Sequence, residues 1–173
     1  MSQQHRMVIL AFAVALTAAA ASQTPAASQG AAIRQIPGLT AKDAFPNGCV
    51  DCHIDGKNGN LRMSALMAVW TKAVPAPMAD KARASSVTAS ASKIKGKHPP
   101  MANVKANIPQ TCLAGCHKKG STIAPPFAQL MHTVHLTGGN QNRYLAAYQG
   151  ECTHCHKLDQ KTGTWKMPTG PEK

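Results

Sequence analysis

The chain reads as a mainly α protein with much irregular loop and little or no β-structure, built around something other than its own side chains. Three observations predict this. Apolar residues recur at helical spacing in short stretches only: Met63, Leu66, Met67, Trp70 and Val74, and again Phe127, Leu130, Met131 and Val134. Breakers bracket both stretches, with Pro75 after the first and Gly138-Gly139 after the second. Aromatic residues make up only 4% of 173 residues. That is thin for a core that must offset the conformational entropy of so long a chain, so another material is expected to fill the middle.

Residues 1–21 read as a secretory signal: a polar start with Arg6, an apolar run from Met7 into Ala21, and Ala19 and Ala21 for an Ala-x-Ala cut. The run is shorter than the 18 or more residues of a spanning helix, so a retained membrane anchor is the less favoured reading. Export to the periplasm, the cell surface or beyond follows. Residues 22–35, rich in Ala, Ser, Gln and Pro, read as a disordered lead-in, and residues 36–173 as one domain. Within it, Asn60 can cap the helix of Leu61 to Val74, and Pro125-Pro126 can open the helix that Gly138-Gly139 ends. A third helix runs from about Asn140 to Gln149 and stops at Gly150. Between Val74 and Lys97 the sequence does not choose between a weak helix and a loop.

The formal charge is +12, and +11 without Arg6 of the signal. The lysines are scattered and not interleaved with aromatics, which argues against nucleic acid as a partner and leaves acidic proteins or an anionic surface.

The six cysteines fall into three pairs, each followed at once by histidine: Cys49-Val-Asp-Cys52-His53, Cys112-Leu-Ala-Gly-Cys116-His117 and Cys152-Thr-His-Cys155-His156. C-x-x-C-H is the attachment sequence of c-type haem: two thiols add to the vinyl groups as thioethers, and the adjacent His ligates the iron. The first and last motifs match it; the middle one carries an extra residue. Zinc is the competing reading, since Cys and His at close spacing also make zinc cages. Export, covalent attachment after export, and His directly behind Cys three times favour three haems. Each would bring two propionates, so the loaded chain would be only mildly basic.

Eight histidines give a second count. His5 lies in the signal, His53, His117 and His156 are the proximal ligands, and His154 is too near its own motif to reach the same iron from the far side. His98, His132 and His135 remain as candidates for three distal positions, their pairing left open. His132 and His135, three apart on one helix, border its apolar face but cannot approach one iron from opposite sides. Met167-Pro168 is a rival sixth ligand but lies close behind His156. His/His ligation sets a lower potential than Met/His.

With these motifs in view, the chain from about Asn47 to Lys157 resembles multihaem c-type cytochromes, in particular low-potential bis-histidinyl cytochromes of the class III kind. The resemblance implies a small fold wrapped around three closely packed haems and an electron carrier in the periplasm or at the cell surface, with redox proteins bearing acidic docking surfaces as partners. Two alternatives stand beside it. One is a multihaem reductase with an open iron, for which Arg143, Tyr144 and His154 are the available proton donors. The other is a subunit of a polymeric cytochrome filament, in which loop-borne His98 serves a neighbour.

Overall fold

The computed structural model describes residues 33–86, 96–101, 104–168 and 171–173. The expected signal with His5, and the lead-in as far as residue 32, lie outside the described residues. Residues Arg34–Lys173 make one unit. Arg34, counted with the lead-in by sequence, pairs with Glu151 at 2.8 Å.

The first element, α1 (Cys49–Cys52), is a single turn formed by the first motif itself. Gly48 enters it at φ 62°, and a Cβ there would stand 3.2 Å from the Pro168 carbonyl oxygen, so the position is restricted twice over. Next comes a two-residue hairpin, β1 (Asp55–Gly56) and β2 (Gly59–Asn60), antiparallel with Gly56 opposite Gly59.

α2 (Met63–Trp70) follows and buries Met67. It is shorter than the spacing of apolar residues suggests. Asn60 does not cap it: its Oδ1 accepts from Arg62 N at 3.1 Å, one step ahead of the helix. The first-turn amide of Ser64 donates instead to Glu172 at 2.6 Å, and the Ser64 hydroxyl donates to the same carboxylate. Pro75 does more than stop α2, because it opens α3 (Ala76–Ala84), which resolves as helix the start of the stretch left undecided by sequence.

A short helix not anticipated from the sequence, α4 (Ile108–Leu113), carries Cys112, with Pro109 in its first turn where no amide is needed. α5 (Phe127–Leu136) begins after Pro126, as expected. Its C-terminal carbonyls are taken from outside: Lys81 of α3 donates to Val134 O at 2.8 Å and Thr137 O at 3.2 Å, and Asn142 Nδ2 donates to the same two oxygens at 2.9 and 2.7 Å. An ammonium on these carbonyls also suits the negative end of the helix dipole.

α6 (Arg143–Tyr148) is tighter than the expected span to Gln149. Asn142 Oδ1 caps it by accepting from Tyr144 N at 3.0 Å, and the left-handed turns at Gln149 and Gly150 end it. A second hairpin, β3 (Lys157–Asp159) with β4 (Thr164–Lys166), closes the order.

The architecture is thus mainly helical and loop-rich, with two small two-stranded sheets where little or no β-structure was expected. Turn chemistry explains both: Lys57-Asn58 links glycines, and Asp159 accepts from the amides of Thr162 and Gly163. Among the described residues the buried apolar set is Val50, Met67, Ala79, Val104, Ile108 and Phe127. A cleft of about 460 Å³ beside α2, lined by Met67, Met101 and Val104 among others, has no Cys or His in its wall. No described helix is long and apolar enough to cross a membrane.

Candidate functional site

Each of the three motifs closes in the same way. The His53 amide donates to Cys49 O at 2.8 Å, and the His156 amide to Cys152 O at 2.9 Å, across four residues in both cases. The His117 amide donates to Cys112 O at 3.2 Å, across five. The extra residue of the middle motif is absorbed as a wider ring, and its histidine still follows a backbone turn that begins at the first cysteine.

The six candidate ligand histidines come together in three pairs. The rings of His53 and His135 have centroids 6.2 Å apart, those of His98 and His117 6.1 Å, and those of His132 and His156 6.1 Å. Every motif histidine therefore faces a different one of the three histidines that the sequence left over. Two imidazoles holding one metal ion from opposite sides, each with a metal–nitrogen bond of about 2.0 Å, have centroids roughly 6 Å apart. The observed spacing fits that arrangement. His132 and His135 serve different partners, as their positions on α5 require.

Second partners orient the rings. His53 Nδ1–H donates to Leu61 O at 2.9 Å, His117 Nδ1–H to Pro125 O at 2.6 Å, His135 Nδ1–H to Met131 O at 2.9 Å, and His98 Nδ1–H to Pro99 O at 2.7 Å. In this tautomer Nε2 keeps its lone pair, as a metal ligand must. Burial holds His117 below its ordinary pKa, and so does the His98 ring opposite. Burial likewise depresses His135, with His53 and Lys81 adding to it. Both rings are kept neutral.

The thiols are shifted the other way. Burial, then the nearby Cys155, pushes Cys49 up to about 11. Burial also raises Cys52, Cys112 and Cys155. With no metal bound, these sites favour the protonated thiol. All six cysteines stand as thiols without disulfides. Among the described residues no three His, Cys, Asp or Glu side chains converge on one point as a zinc cage requires. A haem iron asks only two protein ligands, because the macrocycle supplies the rest. The donor set therefore fits c-type haem.

The secondary structure explains who meets whom. α5 carries both His132 and His135, and its end is pinned by Lys81 and Asn142. His98 is fixed through its amide, which donates to Trp70 O at the end of α2 at 2.8 Å.

The sequence offers Tyr144 only as a proton donor for a reductase, whereas in the structure it occupies a joint. Its ring packs edge-on against His135 at 5.4 Å, while its hydroxyl donates to Glu151 O at 2.5 Å and lies 4.0 Å from Cys155 Sγ. One side chain thus touches the first and third centres. His154 is buried among Phe45, Tyr144 and Tyr148, with ring distances of 4.7, 6.4 and 6.1 Å, and faces none of the candidate ligand rings. Arg143 is exposed and Met167 half-buried. No protein-family model, curated relative or solved structure matches this chain, so its own geometry carries the reading.

Proposed function

We propose that the chain is a trihaem c-type cytochrome, an electron carrier of the bis-histidinyl, low-potential kind. The observation that carries this is the one-to-one pairing of the three motif histidines with His98, His132 and His135 at the spacing of ligands to a shared iron. Haem, when bound, supplies a one-electron couple at each centre.

The chain's own residues do the rest. Cys49/Cys52, Cys112/Cys116 and Cys152/Cys155 would hold the three haems, each thiol adding its S–H across a vinyl group to give a thioether. His53 with His135, His117 with His98, and His156 with His132 would be the two protein ligands of each iron. Backbone carbonyls fix four of the six rings. Two neutral imidazoles favour ferric iron more than a thioether does and so lower the potential. The small apolar core also supports the reading, since three macrocycles would supply the missing interior.

With each motif histidine matched, no observation marks an open iron for a reductase. His98 faces a ring of its own chain, so a filament does not need it as a borrowed ligand. Export of the carrier rests on the sequence of residues 1–21, and acidic redox proteins are its proposed partners.

Intact mass with a pyridine haemochrome spectrum tests the proposal: three haems per chain are expected. Electron paramagnetic resonance of the ferric protein tests the pairing. The His98 and His117 planes are 9° apart and those of His53 and His135 85° apart. Near-parallel planes split the iron d orbitals strongly and near-perpendicular ones leave them almost degenerate, so one rhombic and one highly anisotropic low-spin signal are expected. A dominant high-spin signal that responds quickly to cyanide defeats the bis-histidine reading.

A further inference from the structure

α3 packs on α5, and it brings a cation to the end of the helix that carries His135. Lys81 is half-buried, and its ammonium donates to Val134 O at 2.8 Å and to Thr137 O at 3.2 Å, carbonyls on either side of His135 in the chain. A Cβ at Gly138, whose φ is 100°, would stand 3.9 Å from the same nitrogen, so the backbone folds closely round the charge. The carbonyls hold the ammonium without neutralising it. Among the described residues no carboxylate pairs with Lys81, whereas Arg83 on the same helix is exposed and paired with Asp80. The charge also reaches the His135 ring, where it adds to burial and to His53 in disfavouring a proton.

The other two centres are placed differently. Lys157, next to His156, is half-buried as well, but Asp43 pairs with it at 2.8 Å and balances its charge. Lys118 and Lys119 follow His117 directly and are exposed, where water and salt screen them. A half-buried, immobilised and unbalanced ammonium therefore marks the first centre. One electron taken up there turns ferric iron ferrous and lowers the positive charge of the centre by one, which a fixed cation nearby favours.

We infer that Lys81 is a positioning residue of the first centre, acting through His135: its fixed charge raises the potential of that centre while its hydrogen bonds hold the end of α5. This rests on the haem reading above.

The test is a redox titration of the holoprotein with dithionite and mediators, followed by paramagnetic resonance. The highly anisotropic signal of His53/His135 reports the first centre, and the rhombic signal of His98/His117 is the internal reference. Lys81→Met is expected to lower the midpoint of the first signal, so that the ferric-to-ferrous ratio at a fixed potential rises roughly tenfold, while the reference changes less than about twofold. Lys81→Gln, which keeps a donor without the charge, is expected to shift the midpoint in the same direction, and it carries the test if the Met variant loses haem. Lys81→Arg keeps the charge and is expected to hold the midpoint. Asn142→Ser keeps an oxygen to cap α6 but removes the other donor to Val134 O and Thr137 O, so it is expected to unfold at lower denaturant with the midpoint unmoved. An unmoved midpoint in both neutral Lys81 variants overturns the inference. So does a shift in Lys81→Arg or Asn142→Ser as large as that in Lys81→Met, which would assign the effect to the helix end rather than to charge, and so does an equal shift of both signals. A chain that gains no haem mass or shows no low-spin signal defeats the haem reading itself, whereas three haems with an unmoved midpoint defeat the role of Lys81 alone.

Discussion

Two of the three centres are built on one helix, and the third on a loop. The pairs His53/His135 and His132/His156 share α5, and Tyr144 touches both, with its ring on His135 and its hydroxyl by Cys155. The pair His98/His117 has neither link: His98 hangs from the end of α2, and His117 from the turn behind α4. The difference teaches that one helix gives two histidines a fixed separation, while His98 and His117 are each fixed by separate backbone contacts, His98 through its amide to Trp70 O and His117 through Nδ1–H to Pro125 O.

The largest expected effect breaks this comparison directly. Cys152→Ser/Cys155→Ser should remove one haem mass and also disturb the highly anisotropic signal assigned to His53/His135, because His132, on the same helix as His135, no longer shares an iron with His156. Cys112→Ser/Cys116→Ser should remove one haem and only the rhombic signal of His98/His117. Mass spectrometry with paramagnetic resonance reads both, and equal independence of all three centres would sink the idea of a coupled pair.

Tyr144 sharpens it further. Tyr144→Phe keeps the ring against His135 but removes the donor to Glu151 O, and is expected to cost about 1 kcal/mol in denaturant unfolding of the holoprotein with the ferric signals unchanged. Tyr144→Leu removes the ring as well and should shift the His53/His135 signal while leaving His98/His117 as it was. A shift confined to the latter would contradict the placement of this side chain.

The smallest effect lies on the β3–β4 hairpin behind the last motif. The hydrogen bond from Lys166 holds the exposed Asp159 carboxyl below the ordinary carboxylate range, with slight desolvation opposing it. A depressed carboxylate contributes stability at pH above its unfolded value and loses it as pH falls through the folded one. Lys166→Met should raise the Asp159 titration toward the usual value of about 3.9, read by NMR. The small stability difference between the two proteins should vanish as the pH falls through that range.

How much of this was legible in the residues varies from element to element. The helix after Pro126 was written in its apolar spacing and its glycines, because that information is local. The end of α2 was not, since its first turn is satisfied by Glu172, 108 residues beyond Ser64. The hairpins were missed because segments of two or three residues leave no periodicity to read. α4 was missed for a similar reason, as one and a half turns around Pro109 carry too few apolar positions. Tyr144 gave no signal of its role beyond being one of seven aromatic residues in the chain.

By itself, the sequence determined the inventory: three thiol pairs, each with its histidine, and three further histidines to match them, all countable without coordinates because each motif is local in the chain. Only the tertiary structure decided which distal histidine meets which motif. His53 and His135 are brought together by packing and pinned helix ends rather than by any spacing in the sequence.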